Sequence, residues 1–223
     1  ALMECPVKFI WSHDSFRVGE DGPTHEPIEQ EAQIRLMEKV HNHHGKPSLI
    51  ALRAADEKEM VECWKFAMEN TATPSAVILS RQGIKELPEG TPYKEAVKGG
   101  YVVCSDKNPQ VVLVASGSEV SLLAEAGELL RKDGIRYRLV SVPSEGLFRA
   151  QTEEYQQSVL PAGIKRFGLT AGLPVNLEGL VGGNGKVFGV STFGFSASYK
   201  VLDEKLGFTP ENIYNEISKM LKA

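Results

Sequence analysis

Residues 110–142 decide the fold class: QVVLVASGSEVSLLAEAGELLRKDGIRYRLVSV. Gln110–Ala115 is a short apolar run typical of a buried strand, and a helix is predicted from Gly117-Ser118 to Lys132. Gly134 ends that helix in the usual way for a glycine after the last turn, and Arg136–Val142 is the next predicted strand. A strand–helix–strand unit of this kind predicts a parallel sheet.

Upstream of this unit, short apolar runs again alternate with longer amphipathic segments. Strands are predicted at Val7–Trp11, Ser48–Leu52 and Ser75–Leu79. Helices are predicted from Pro27 to about Val40 and from Asp56 to Asn70. Strands that alternate with helices are typical of βαβ units and a mainly parallel sheet.

Both upstream helices carry start signals. Pro27 suits the first helical position, because the N–H that proline lacks would have no partner there. The same helix places a set of side chains near one face, namely Ile28, Ala32, Gln33, Leu36 and Val40. Asp56 suits the N-cap of the second helix, and Glu59 three residues later completes a capping-box arrangement.

Residues 82–98 interrupt the alternation with two prolines, two glycines and several charges, which is typical of a linker. Beyond it, a short strand is predicted at Tyr101–Cys104, and a helix from about Pro210 to Lys222 ends the chain. The glycine-rich stretch Gly179–Gly189 does not match a GxGxxG turn between a strand and a helix, so no dinucleotide site is expected.

We therefore expect an α/β fold of two three-layer units, each a mainly parallel sheet with flanking helices, the first one incomplete. The predicted division is 1–83, a linker at 84–98, and 99–223. The first residues look like the end of a helix that runs straight into a strand. We therefore expect that the chain begins inside a domain.

Composition argues against several classes of function. The 223 residues hold 25 Lys+Arg and 29 Asp+Glu, a net charge of −4, so no nucleic-acid partner is expected. No apolar run approaches the roughly 18 residues needed to span a bilayer, so no membrane partner is expected. The 3 cysteines include no CxxC pair, which argues against disulfides and zinc and indicates a reducing, cytoplasmic setting.

Polar residues follow two of the predicted strands and fill one shaped turn. His13 and Arg81 come just after strands, where parallel sheets bind ligands. Asp21 and His25 lie in the turn GEDGPTH at 19–25. Arginine and histidine bind phosphate and aspartate accepts bonds from hydroxyls, so the set suits a phosphorylated polar substrate. Each residue alone also suits a simpler role in a turn or a solvated ion pair, and the pattern names no reaction.

Two further segments each allow two interpretations of their role. HNHHGK at 41–46 places His41, His43 and His44 where we expect an exposed polar loop, with a zinc or copper site as the alternative. ASGSEV at 115–120 is a strand–turn–helix junction. We expect it to cap the helix, with an anion held by the helix amides as the alternative.

The run GEDGPTHEPIEQ at 19–30 closely resembles the transketolase family. The resemblance extends in order over nearly the whole chain, through SHDS at 12–15, PSAVILSRQ at 74–82, GGYVV at 99–103, ASGSEV at 115–120, STFGFSAS at 191–198 and LGFTPENI at 206–213. It implies that 1–83 is the second half of a pyrimidine-binding domain and that 99–223 is the family's C-terminal domain.

The resemblance also implies a function. Transketolases use thiamine diphosphate to transfer a two-carbon ketol unit from a ketose phosphate to an aldose phosphate in the pentose phosphate pathway, and they are homodimers. By the family pattern, His13 and Arg81 would hold the substrate phosphate. Asp21 would contact a hydroxyl near the donor carbonyl, and His25 would contact oxygens around the reacting carbon.

Other parts of the family pattern have no counterpart in this sequence. They are the catalytic glutamate, the aromatic residues that stack on the pyrimidine, and the motif for diphosphate and metal. We therefore expect this chain alone to bind thiamine diphosphate and Mg²⁺ (or Ca²⁺) poorly and to turn over nothing. Two alternatives remain open, a dihydroxyacetone synthase-type ketol transferase and a non-catalytic C-terminal subunit or binding module.

Overall fold

In the computed structural model, which describes residues 1–222, three parallel strands form the first sheet. They are β1 (Lys8–Trp11), β2 (Ile50–Leu52) and β3 (Ser75–Ile78), with β3 in the centre. In register, Phe9 of β1 lies opposite Ala76 of β3. The predicted strands and their parallel order are confirmed. All three carboxyl ends therefore lie at the same edge of the sheet.

The first helix is shorter than predicted, because α1 spans Gln30–Met37. The prediction that Pro27 occupies the first helical position is wrong. The residues before α1 bind other partners: the Ile28 amide donates to the Gln30 side chain at 2.9 Å, and the Ile28 carbonyl accepts from the Leu173 amide at 3.1 Å. Because the Ile28 carbonyl accepts from Leu173 instead of from an amide one turn later in the same helix, α1 begins after it.

The predicted face of α1 points outward. Leu36 is 59% exposed and Val40, just beyond the helix, is 54% exposed. The side chains that α1 and its end bury are charged instead, namely Glu31, Arg35 and Glu38. The periodicity located the helix but did not reveal its inward face, because that face meets charged and polar partners rather than an apolar core.

The second helix agrees with its start signal. α2 spans Glu57–Glu69, and Asp56 Oδ1 accepts a bond from the Glu59 amide at 2.9 Å. The Glu59 carboxylate accepts from the amide of Ala55 rather than from that of Asp56. The N-cap is therefore confirmed, and the reciprocal bond of the capping box is displaced by one residue.

The connection between the two sheets is anchored to α2. Asp56 Oδ2 accepts bonds from the Leu87 amide at 2.9 Å and from the Tyr93 hydroxyl at 2.7 Å. A short 3₁₀ helix at Tyr93–Lys98 leads to Gly99, which has φ of 84°. A side chain at Gly99 would meet the Phe148 amide nitrogen at 2.3 Å, so only glycine allows this close approach.

Five strands form the second sheet, in the order β4-β6-β5-β7-β8. All neighbours are parallel except β4, which is antiparallel to β6. The strands are β4 (Tyr101–Ser105), β5 (Val111–Ala115), β6 (Tyr137–Ser141), β7 (Lys165–Leu169) and β8 (Lys186–Phe188). A mainly parallel second sheet is confirmed.

Helices cover both faces of this sheet. They are α3 (Glu119–Lys132), α4 (Glu145–Arg149), α5 (Glu153–Val159), α6 (Val175–Val181), α7 (Tyr199–Leu206) and α8 (Pro210–Lys222). The predicted helices at α3 and α8 are confirmed. The sequence analysis predicted none of α4 to α7, nor β7 and β8. The glycine-rich stretch 179–189 holds the end of α6, a turn and β8.

The main core surrounds β5, which is buried along its whole length. Leu113 and Ala115 pack on the side of α3 and α8, while Val112 and Val114 pack on the side of α6. By contrast, β1 exposes its apolar side chains, with Ile10 53% exposed. Among the described residues, no helix is long and apolar enough to cross a membrane.

Candidate active site

His13 lies at the carboxyl edge of the first sheet, directly after β1. Its backbone is in the left-handed region with φ of 68°, and Ser12 Oγ lies 2.8 Å from its Nδ1. The ring is exposed and lines a cavity of about 350 Å³ together with Trp11, Asp14 and Ile34. A left-handed histidine is uncommon, so the chain turns sharply here and presents the ring at the end of the strand.

Arg81 lies at the end of the adjacent strand. The Leu79 amide donates to the Trp11 carbonyl at 2.7 Å, which extends the pairing of β1 with β3 to their last residues. Arg81 is exposed, and within residues 1–222 its guanidinium has no side-chain hydrogen bond or ion pair. The structure thus brings His13 and Arg81 to neighbouring strand ends and leaves the arginine available to an anion.

Asp21 and His25 share the predicted turn. Gly22, with φ of 75°, accepts a bond from the His25 amide at 3.0 Å, and His25 Nδ1 lies 2.8 Å from Thr24 Oγ1. The side chains of Asp21 and His25 are both exposed. The turn therefore presents an acceptor and an imidazole to solvent, as the sequence predicts.

The turn rests on the second unit. Ser196 Oγ donates to the Glu20 carbonyl at 2.6 Å. Next to His25, the carboxylate of Glu26 is buried; burial raises its pKa, and the backbone N–H groups of Phe195 and Gly19 oppose that shift. The sequence did not single out this buried carboxylate, and neither of its oxygens has a hydrogen-bond partner among the described residues.

The four predicted residues form two pairs. His13 and Arg81 follow neighbouring strands, and Asp21 and His25 share one turn. The cavity beside His13 is not lined by Asp21, His25 or Arg81. Each pair presents exposed polar groups, but the structure does not place the four side chains in one enclosed cavity.

Sequence reasoning missed Arg53, the most connected side chain near the strand ends. It follows β2 and is 2% exposed. Its Nε donates to Asp14 Oδ2 at 2.9 Å, and its Nη1 donates to the Ser116 carbonyl at 2.6 Å and to Glu119 at 2.5 Å. Its place after a strand was the available signal, the same one that singled out His13 and Arg81.

The charges around Arg53 continue into the second unit. Glu119 also accepts from Arg17 at 2.8 Å, and Arg17 in turn donates to Asp203 at 2.8 Å. Burial opposes the charge of Arg53, but Glu119 and Asp14 outweigh it and raise its pKa well above the ordinary value. Burial likewise opposes ionisation of Glu119, yet Arg53 and Arg17 lower its pKa. The pairing therefore favours the charged forms of both Arg53 and Glu119.

The junction ASGSEV does not cap α3 through a side chain, contrary to the expected role. Ser118 precedes α3 without a side-chain capping bond; its hydroxyl accepts from Arg17 at 3.2 Å and donates to Glu119 at 2.8 Å. Gly117 lies so close to Arg53 that a Cβ there would be 2.4 Å from the guanidinium carbon. The start of α3 therefore binds the chain's own charged side chains, where we predicted a simple cap.

The histidine-rich segment 41–46 forms an exposed polar loop. Asn42 Oδ1 accepts from the amides of His44 and Lys46 at 3.0 and 2.9 Å, which closes a tight turn. His44 Nδ1 lies 2.5 Å from a carboxylate oxygen of Glu4. Over residues 1–222, no three or more His, Cys, Asp and Glu side chains are grouped so as to hold a metal ion.

Comparison with known proteins agrees with this geometry. A family model described as the transketolase pyrimidine binding domain matches residues 1–86. A model described as the transketolase-like C-terminal domain matches residues 99–209. The two matches follow each other in the order that the sequence resemblance implied.

Individual relatives extend the match to nearly the whole chain. The transketolase of Staphylococcus aureus (strain MW2) is 40% identical over 224 residues, covering 99% of this chain and 32% of that protein. The chloroplastic transketolase of Craterostigma plantagineum is 41% identical over 217 residues, covering 96% of this chain and 40% of that protein. This chain thus spans about a third of the length of the first of these relatives.

A solved structure gives the same result for the fold. The transketolase of Pichia stipitis in complex with sedoheptulose 7-phosphate matches with a TM-score of 0.88 and 34% identity. The match covers 98% of this chain and 30% of that one. With both domain models matched in order and the fold shared from end to end, this chain belongs to the transketolase family and corresponds to its C-terminal part.

Proposed function

We propose that this chain forms the sugar-phosphate-binding side of a transketolase, a transferase that moves a two-carbon ketol unit from a ketose phosphate to an aldose phosphate. The observation that carries the proposal is the location of His13 and Arg81 at adjacent strand ends, together with a turn that exposes Asp21 and His25. A relative in the same family is named as a complex with a sugar phosphate.

His13 and Arg81 are proposed to bind the phosphate. Arg81 is exposed and its guanidinium is unengaged by other residues of 1–222, so its donors can form two parallel bonds to a phosphate. His13 is held by Ser12 at Nδ1, which leaves Nε2 free to donate to the same anion when it carries the proton. Of the two arginines at the strand ends, Arg53 is already fully bonded, so Arg81 is the one suited to a ligand.

Asp21 and His25 are proposed to contact the sugar. Asp21 can accept from a hydroxyl near the donor carbonyl, and His25 can donate to or accept from oxygens around the reacting carbon. The glycine at position 22 and the bond from Ser196 to Glu20 hold the turn in one shape. A rigid turn favours catalysis because it fixes the two groups before the substrate binds.

The described residues do not fit a site for Mg²⁺ or Ca²⁺, because they contain no group of three or more ligating side chains. Thiamine diphosphate, with which the family transfers the ketol unit, would bind together with that metal. We propose that the 223-residue chain alone does not bind the cofactor and does not turn over substrate.

The organisation of the protein follows from the same proposal. Residues 1–83 would be the C-terminal half of the pyrimidine-binding domain, 84–98 a linker, and 99–223 the C-terminal domain. We propose a homodimer acting in the pentose phosphate pathway in the cytoplasm. Nothing in the fold or in the relatives supports a dihydroxyacetone synthase-type transferase or a non-catalytic subunit.

Binding of ribose 5-phosphate to the 223-residue chain, followed by NMR of the histidine rings, tests the proposal. We expect saturable shifts of the His13 signals with ribose 5-phosphate and none with ribose. Arg81→Ala should weaken binding on the order of tenfold or more, since it removes charge-assisted bonds. Arg136→Ala removes an exposed arginine just before β6, at its amino end, and should bind like the unchanged chain. Equal binding by all three proteins would contradict the proposal.

A further inference from the structure

Asp14 connects the two strand ends that carry His13 and Arg81. It follows His13 directly, and its Oδ2 accepts a bond from Ser80 Oγ at 2.9 Å. Ser80 in turn precedes Arg81 directly. One hydrogen bond therefore joins the immediate neighbours of both proposed phosphate-binding residues.

Asp14 is itself held from the other side by Arg53. Its side chain is only 1% exposed, and Arg53 Nη2 lies 2.7 Å from the same Oδ2 that accepts from Ser80. The second oxygen, Oδ1, is buried without a hydrogen-bond partner among the described residues. A buried carboxylate with one oxygen unbonded is costly, so its ion pair with Arg53 must hold it in place.

Arg53 is immobile for the same reason. The Ser116 carbonyl, Glu119 and Asp14 occupy its nitrogen atoms, and Gly117 packs against its guanidinium. The charge-assisted bonds at both ends of the guanidinium favour this one orientation. Arg53 therefore links Asp14 to Ser116 and Glu119 of the second unit.

We propose that Asp14, Ser80 and Arg53 are positioning residues that hold His13 and Arg81 where both can bind one phosphate group. This inference rests on the proposed function, in which His13 and Arg81 bind that phosphate. Asp14 also follows a left-handed histidine, a conformation that persists only where the surrounding structure fixes it. The bond to Ser80 and the pair with Arg53 provide that constraint.

The pair Ser80→Ala and Ser80→Thr isolates the hydrogen bond, because only the threonine variant keeps the hydroxyl. With ribose 5-phosphate as the probe, Ser80→Ala should raise the dissociation constant about fivefold, and Ser80→Thr should stay within about twofold of the unchanged chain. Amide hydrogen exchange should speed up at residues 12–15 and 80–82 in Ser80→Ala, while β5 keeps its protection.

Asp14→Asn is the second variant, since it keeps the shape of the side chain and removes its charge. We expect the dissociation constant to rise at least as much as in Ser80→Ala, because the anchor to Arg53 weakens as well. If Asp14→Asn does not fold, the comparison of Ser80→Ala with Ser80→Thr still tests the inference. Both of these variants should fold, because Ser80 is only partly buried and its hydroxyl makes one bond.

The outcomes separate the two proposals. If His13→Ala and Arg81→Ala weaken binding but Ser80→Ala does not, the positioning inference is wrong and the proposed function stands. If Ser80→Thr binds as weakly as Ser80→Ala, the effect is not due to the hydroxyl and the inference is also wrong. If the unchanged chain shows no saturable binding, the proposed function fails, and the inference fails with it.

Discussion

Glu59 makes the stability of this protein depend on pH in a direction opposite to that of most carboxylates. Its side chain is wholly buried at the start of α2, between the two units. It accepts bonds from Tyr101 at 2.8 Å and from Ser141 at 2.7 Å, both on strands of the second sheet. Burial raises the pKa of Glu59 from 4.5 to about 7 in spite of these bonds.

The sign and the size of the effect follow from proton binding. Between pH 4.5 and about 7, the folded protein holds a proton on Glu59 that the unfolded chain has released. The free energy of unfolding therefore falls as the pH rises through this window. The difference between the two pKa values corresponds to about 3 kcal/mol, fully present below the window and lost above it.

Glu59→Gln removes this titration and keeps the shape of the side chain. The amide can accept from the Ala55 amide and donate to the Tyr101 and Ser141 hydroxyls, which can accept after rotating. We expect the variant to gain stability relative to the unchanged protein as the pH rises, by about 3 kcal/mol between about pH 5 and about pH 8.

Urea unfolding at a series of pH values measures this difference. Subtracting the free energies of unfolding of the two proteins at each pH cancels the contribution of the other carboxylates that titrate in the same range. Glu57→Gln, on the exposed side of the same helical turn, controls for the loss of a negative charge near the helix N-terminus. A stability difference between Glu59→Gln and the unchanged protein that stays constant with pH would refute the reasoning.

Two other predictions concern packing and local stability. Gly117→Ala should destabilise the protein by more than about 3 kcal/mol, because the new methyl group meets the Arg53 guanidinium. Gly134 is equally left-handed but lies in open space, so Gly134→Ala should cost only about 1–2 kcal/mol. Chemical denaturation of both variants measures this difference. Hydrogen exchange should be much faster at Lys8–Trp11 than at Val111–Ala115, because β1 is exposed and β5 is buried, and equal protection of the two strands would contradict it.

The parts of the fold that were predictable are those in which local pattern and tertiary environment agree. Val111–Ala115 is apolar throughout and is buried throughout. Asp56 caps α2 because its side chain needs only a backbone amide three residues away. The predicted start of α1 was wrong because the Ile28 backbone binds Leu173, which is more than a hundred residues away. No local signal in the sequence reveals that contact.

The candidate site likewise has parts that local sequence signals reveal and parts that depend on distant contacts. The turn with Asp21 and His25 and the strand ends with His13 and Arg81 could be located from sequence, because glycines and strand periodicity are local signals. Arg53 could not be ranked above other arginines from its own surroundings in the sequence. Its partners come from separate strand ends, which only the folded sheets bring together.

The proposal that this chain supplies the substrate-binding side of a transketolase is tested most directly with a chimera. In the chimera, this chain replaces the matching third of the Staphylococcus aureus transketolase, and ketol transfer is measured with thiamine diphosphate and Mg²⁺. The unaltered relative is the positive control, and the 223-residue chain alone is the negative control. We predict transfer by the chimera, its loss on His25→Ala, and none by the chain alone. A folded chimera without ketol transfer, or one that His25→Ala leaves unaffected, would contradict the claim.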